Sequence, residues 1–199
     1  MHRYFIIYKP YLVLSQFTTD SSKHRTLKDV FDVPHDVYAV GRLDNDSEGL
    51  LIITNDKVLN SRLLHPKNKH EREYWVQVEG AITTEAMRQL ESGVVITVDG
   101  KAYLTKPCKV KLFGDAPAVP DRNPPIRFRK EIPTSWISIT LTEGKNRQVK
   151  KMTAKVGFPT LRLIRHRIEG ISLDNMQPGN IIEFPKQIIY KKLFHSIPS

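Results

Sequence analysis

An α+β fold around a mixed, mostly antiparallel sheet with flanking helices is what this sequence predicts, on three observations. Short apolar runs with the spacing of strands recur along its whole length. Helical spacing is confined to a few short segments interleaved among those runs. The Asp99-Gly100 pair, between two β-prone stretches, marks a hairpin turn.

The chain opens on Tyr4-Phe5-Ile6-Ile7-Tyr8, an apolar strand signal stopped by Lys9-Pro10. Thr26 to Phe31 reads as a short helix. Val37 to Val40 leads into Gly41, and Gly49 to Thr54 is a buried-strand candidate. A helix is expected from Lys57 to Leu64, before His65-Pro66, and a strand over Tyr74 to Val78. Thr83 or Thr84 caps a helix that runs to Glu91 and ends at Gly93. Val94 to Val98 and the residues after Lys101 form the hairpin arms. Residues 114–134 hold Pro117, Pro120, Pro124, Pro125 and Pro133, and read as a long basic loop. Ile137, Ile139 and Leu141 then alternate with Trp136, Ser138 and Thr140, as on a half-buried strand. From Asn146 to Val156, Val149, Met152 and Val156 face inward at helical spacing while Arg147, Lys150, Lys151 and Lys155 face outward. Thr160 to Ile168 is the last strand expected.

A chain of 199 residues can bury a real core as one large domain or two small lobes. Hydrophobic residues at 40% and charged ones at 26% exclude disorder as the main state. The single cysteine, Cys108, permits neither an internal disulfide nor a thiolate metal cluster, which fits a reducing compartment. Seven scattered histidines show no ligand spacing, so no metal is expected. No apolar stretch approaches the roughly 20 residues a bilayer needs, and no signal peptide is evident. A soluble, cytoplasmic protein with no membrane partner is the expectation.

Charge narrows the partner. The chain carries a net +10, and residues 101–170 hold 16 Lys/Arg against 5 Asp/Glu, an excess of 11. A concentrated basic segment is the footprint of a polyanion, although a solvated basic surface would look the same.

The densest signal for chemistry is Gly41-Arg42-Leu43-Asp44-Asn45-Asp46-Ser47-Glu48-Gly49-Leu50-Leu51-Ile52-Ile53-Thr54-Asn55-Asp56. Its three carboxylates, Asp44, Asp46 and Glu48, stand two residues apart just before a buried strand. A calcium loop would need a glutamate at the twelfth position, where Asn55 stands. A glycosidase pair should flank a sugar from opposite faces, for which adjacent loop carboxylates are poorly placed. A purely structural acidic turn stays open on these residues alone.

The stretch GRLD followed by DSEGLLIITND closely resembles the signature of the RsuA-type ribosomal pseudouridine synthases. Other pieces match in order: Tyr8-Lys9-Pro10, Glu73-Tyr74-Trp75-Val76, Glu143-Gly144-Lys145-Asn146-Arg147-Gln148-Val149 and Leu163-Ile164-Arg165. The resemblance covers residues 4–184, and Arg122 to Arg127 with Pro133 to Trp136 resemble the RluE type, which modifies large-subunit RNA. It implies the pseudouridine synthase catalytic fold in two abutting lobes, as one catalytic domain over residues 1–199 that ends in a tail, 185–199. Many relatives carry an S4-like RNA-binding domain ahead of the catalytic part; none is expected here, so RNA affinity would come from the catalytic domain.

The implied activity is isomerisation of a uridine to pseudouridine within 23S (large-subunit) ribosomal RNA, by a monomer without cofactor. The bond from ribose C1′ to N1 breaks and is rebuilt to C5, with no redox change. The resemblance gives Asp44 the part of nucleophile. It gives Tyr74 that of stacking on the base and helping to remove the C5 proton. Lys145 would be the cation that keeps Asp44 ionised, with Arg165 ranked behind it. The target must be flipped out of its helix. Arg42 could hold phosphate or fill the gap left by the base, and Lys9 is expected to be structural or a phosphate contact. Arg122, Arg127 and Arg129 beside Phe128, then Arg147, Lys150 and Lys151, and Arg162 and Arg167 are expected to hold the RNA. The alternative from another class is a non-catalytic RNA-binding or ribosome-assembly factor on the same scaffold.

Overall fold

Strand β1 (Tyr4–Lys9) is buried along its full length, as its unbroken apolar run requires, and so is β5 (Glu48–Thr54). They pair antiparallel from Tyr4 opposite Thr54 to Lys9 opposite Gly49. A computed structural model shows these and the other elements, and it describes residues 1–19, 23–126 and 131–195. The chain divides into two units, Met1–His70 with residues from Arg165 onward, and Glu71–Ile164.

In the first unit, β13 (Ile181–Glu183), β1, β5 and β11 (Thr160–Ile168) lie in that order, β11 by its C-terminal part. Strand β4 (Tyr38–Val40) pairs with β5, and β12 (Ile171–Ser172) with β11, both antiparallel. A two-residue parallel ladder joins β2 (Val13–Leu14) to β3 (Arg25–Thr26). The helix expected from Thr26 is a single 3-10 turn, Leu27–Asp29, in which the Asp29 carboxylate accepts from the Thr26 N–H and hydroxyl. Helix α1 (Lys57–Leu64) matches its expected bounds, because the Asp56 carboxylate caps the N–H groups of Val58 and Leu59. One core of this unit gathers Phe5, Ile7, Val13, Leu27, Phe31, Val37, Leu51 and Ile53.

Residues 185–199, expected as a tail, contain helix α4 (Lys186–Phe194). Its Ile189, Tyr190, Leu193 and Phe194 are buried, and the Tyr190 hydroxyl donates to Asp56 Oδ2 at 2.7 Å. The Tyr4 hydroxyl donates to the same oxygen at 2.8 Å, so a buried carboxylate ties α4 to β1 and to the start of α1.

The second unit pairs β6 (Arg72–Glu79), β10 (Thr134–Leu141) and β9 (Lys109–Leu112) antiparallel in that order. Helix α2 (Thr84–Ser92) starts on the Thr83 hydroxyl, and β7 (Val95–Val98) and β8 (Lys101–Leu104) form the expected hairpin. The half-buried alternation expected of β10 fails at its end, where Ser138 and Thr140 are buried as well. Helix α3 (Gln148–Lys155) turns Val149 and Met152 into a core that also holds Val76, Val78, Leu90, Ile137 and Ile139. The α+β reading with mostly antiparallel pairing therefore describes the architecture. Among the described residues no helix is long and apolar enough to cross a membrane.

Candidate active site

Asp44 is half-buried in the loop between β4 and β5, and both of its neighbours are pinned by main-chain bonds. Ser15 Oγ donates to the Leu43 carbonyl at 2.8 Å and accepts from the Leu43 N–H at 3.0 Å. On the other side the Leu12 N–H donates to the Asn45 carbonyl at 2.9 Å. The Ser47 N–H closes the turn onto the Asp44 carbonyl at 3.1 Å. A carboxylate held this way presents its side chain from a fixed backbone, which lowers the cost of positioning it for attack. Exposed Arg42 donates from Nη2 to Gln16 Oε1 at 2.9 Å, tying the loop to the same segment.

Beneath the loop lies a buried layer of charge. Lys9 is 0% exposed, and its ammonium donates to the carbonyls of Pro10 at 2.9 Å and Val13 at 2.6 Å. Burial pulls its pKa down to about 7; Glu48, Asp44 and Asp46 oppose that pull and Arg165 adds to it. Of the two parts expected for Lys9, the structural one fits this burial, since no charge reaches the surface for a phosphate. Glu48 is buried too, at 2% exposure.

Arg165 on β11 is 4% exposed and donates from Nε to the Leu50 carbonyl at 2.8 Å. Gly49 has φ +116°, and a Cβ there would stand 2.4 Å from the Arg165 carbonyl oxygen. Glycine is what this backbone approach requires.

In the second unit Tyr74 sits on β6 opposite Ile139, half-buried against the core. Lys145 is exposed, with its ammonium 4.8 Å from the centre of the Tyr103 ring. The loop that carries it is built on Glu143, whose carboxylate accepts from Tyr103 Oη at 2.5 Å, the Lys106 N–H at 2.9 Å and Gln148 Nε2 at 2.7 Å. Burial would raise the Glu143 pKa, but these hydrogen bonds outweigh it and hold the carboxyl below its ordinary value. The same bond to Glu143 pushes the Tyr103 hydroxyl up to about 12. Gln148 Oε1 in turn accepts from the Lys145 N–H at 3.0 Å. Sequence reasoning quoted Glu143 and Gln148 inside a motif but missed this network; a glutamate and a glutamine five residues apart across a turn were the available signal.

Arg147 caps α3 in the left-handed region, at φ 52°, and is exposed, while Lys150 and Lys151 are half-buried. Arg122 donates to the carbonyls of Pro124 at 2.9 Å and Leu161 at 3.3 Å. Arg162, expected to hold RNA, is buried and donates to the Pro120 carbonyl at 2.8 Å, so it anchors the proline-rich loop instead. Arg167 donates to the Glu169 carbonyl at 2.8 Å. Arg127, Phe128 and Arg129 lie outside the described residues.

A family model described as RNA pseudouridylate synthase matches residues 3–155. A protein of Vibrio parahaemolyticus named ribosomal large subunit pseudouridine synthase E is 51% identical over 174 residues, which cover 87% of this chain and 70% of the relative. The protein of that name in Xanthomonas axonopodis pv. citri is 47% identical over 173 residues, covering 87% and 89%. A crystal structure of a pseudouridylate synthase shares the fold, with a TM-score of 0.79 at 24% identity over 97% of this chain and 74% of that one. By the family model that spans most of its length and by relatives at 51% and 47% identity, the chain belongs to the RNA pseudouridylate synthase family, on the RluE-type branch.

Proposed function

We propose that this protein isomerises a uridine to pseudouridine in 23S ribosomal RNA, with Asp44 as the nucleophile. The pinned loop of Asp44 carries the reading: a half-buried carboxylate is fixed from both sides above the layer of Lys9, Glu48 and Arg165. The bond from ribose C1′ to N1 must break and one from C1′ to C5 must form, with the C5 proton lost and N1 protonated, and a nucleophilic carboxylate divides that exchange into easier steps. The naming of relatives at 51% and 47% identity supports large-subunit RNA as the substrate. Tyr74 supplies a flat face for the flipped base and a hydroxyl for proton transfer at C5.

For the cation that keeps Asp44 ionised, Arg165 ranks ahead of Lys145. Arg165 is buried in the charge layer with Lys9 and Glu48. A cation acts more strongly where water is excluded. Lys145 is exposed and rests on Tyr103. The protein works as a monomer in the cytoplasm on this reading. Incubation with unmodified ribosomal RNA, followed by chemical probing and reverse transcription, tests it. One new pseudouridine in large-subunit RNA is expected; binding without modification would favour the non-catalytic assembly factor.

A further inference from the structure

The first unit carries a cation-lined concavity that the chemistry at Asp44 does not use. Helix α1 runs through His65 into a 3-10 turn, Pro66–Asn68, and the two line a cavity of 510 Å³. Lys57, Arg62 and Lys67 stand around it with His65, Ser61 and Asn68. From Lys57 to His70 the sequence has four Lys/Arg and no Asp or Glu. The carboxylate just before, Asp56, is buried and spends both oxygens on Val58 and Leu59 N–H groups and on the Tyr4 and Tyr190 hydroxyls. It is in no position to serve as a surface counter-ion.

An ordinary solvated helix face intersperses both signs of charge, because i,i+4 pairs stabilise it and like charges repel. Here Lys57, Arg62 and Lys67 gather around one concave surface, which concentrates positive potential where an anion would enter. The frame is also ordered. The Arg62 guanidinium lies over the Phe194 ring at 4.0 Å, and Asn68 Nδ2 donates to the Arg62 carbonyl at 2.7 Å. His65 Nδ1 accepts the Lys67 N–H at 3.2 Å. A guanidinium stacked on a ring loses less freedom when it grips an oxyanion than a loose side chain would.

We infer that this concavity is a second RNA-backbone site, which takes phosphodiester groups of the ribosomal RNA away from the nucleotide that reacts. The inference rests on the ribosomal-RNA reading given under Proposed function. Lysine and arginine beside hydroxyl and amide groups are the set that binds phosphate oxygens, and such contacts fix register without reading sequence. The site therefore contributes to affinity and to its salt dependence, and leaves the bond exchange at the ribose alone.

The test compares the full-length protein with Lys57→Gln/Arg62→Gln/Lys67→Gln and with a charge-matched control outside the groove, Lys28→Gln/Arg88→Gln/Lys191→Gln. Affinity for an unmodified large-subunit RNA fragment is measured from about 50 to 200 mM salt. Single-turnover pseudouridine formation is followed at saturating protein. The groove variant should bind at least about tenfold more weakly at the upper salt, with a salt slope lower by about one to three units. Its saturated rate should stay within about twofold of the parent. If the groove variant binds no more weakly than the control, the inference is overturned. Should the triple variant melt early, Lys57→Gln/Lys67→Gln spares the Arg62–Phe194 contact and decides by the same comparison. A parent protein that binds the fragment yet forms no pseudouridine defeats the proposed function, whereas unchanged binding by the groove variant of an active parent defeats the groove alone.

Discussion

Gly49 and Arg165 touch through their backbones: a Cβ at Gly49 would stand 2.4 Å from the Arg165 carbonyl oxygen and 2.6 Å from its nitrogen. The contact fixes β5, and with it the end of the Asp44 loop, against β11. Gly49→Ala combines that clash with a φ of +116° and should cost about 2–4 kcal/mol. Urea unfolding measures it; a loss below about 0.5 kcal/mol would show that the strands separate easily.

Ser15 makes two hydrogen bonds to the backbone of Leu43. Ser15→Ala should leave a buried N–H and carbonyl unsatisfied, costing about 1–3 kcal/mol. The loosened Asp44 loop should lower the single-turnover rate at least about tenfold while RNA affinity holds. A rate unchanged in a variant that is measurably less stable would contradict the positioning role.

The sequence made β1, β5, α1, the hairpin and α3 legible because each rests on local signals: apolar runs, an Asp or Thr cap, an Asp-Gly turn. Its motif singled out Asp44 as the candidate nucleophile. Burial of Lys9, Glu48, Arg162 and Arg165 was not legible, since a charged residue reads as surface until its partners are known. Helix α4 was missed because what seats it is remote: the Tyr190 hydroxyl on Asp56, 134 positions earlier. Ser15 was overlooked for the same reason, its partner Leu43 lying 28 positions on.

Asp56 predicts an acid-stability effect. Burial alone would raise its pKa, but the hydrogen bonds from Tyr190, Leu59, Tyr4 and Val58 lower it below the ordinary 3.8. A carboxylate with a depressed folded pKa contributes stability that is full above its unfolded value and lost as pH falls through the folded one. Asp56→Asn should therefore lose about 1–3 kcal/mol at neutral pH, with the gap to the parent closing below pH 3.8. Melting curves across that range would contradict the account if the gap stayed constant.

Lys9 predicts a trend at alkaline pH. Its folded pKa of about 7 lies below the ordinary 10.5, so the folded state is disfavoured while the unfolded chain holds the extra proton. That penalty is full below about pH 7 and vanishes as pH rises through 10.5. The stability of Lys9→Met minus that of the parent should fall across this window. A flat difference would mean that Lys9 stays protonated in the folded protein.

The two candidate cations, Arg165 and Lys145, separate by burial. Lys145→Met, at an exposed residue resting on Tyr103, should slow single-turnover reaction by less than about tenfold. Arg165→Met should slow it by about a hundredfold or more, with RNA affinity falling much less. Equal losses in both would remove burial as the deciding factor.

Asp44→Asn tests the central claim most directly. The variant keeps the size of the side chain and the main-chain bonds at Leu43 and Asn45, and removes the nucleophilic charge. With unmodified large-subunit ribosomal RNA it should melt and bind like the parent, and yield no pseudouridine at the position the parent modifies. Pseudouridine formed by Asp44→Asn at a rate within about a hundredfold of the parent would contradict the account.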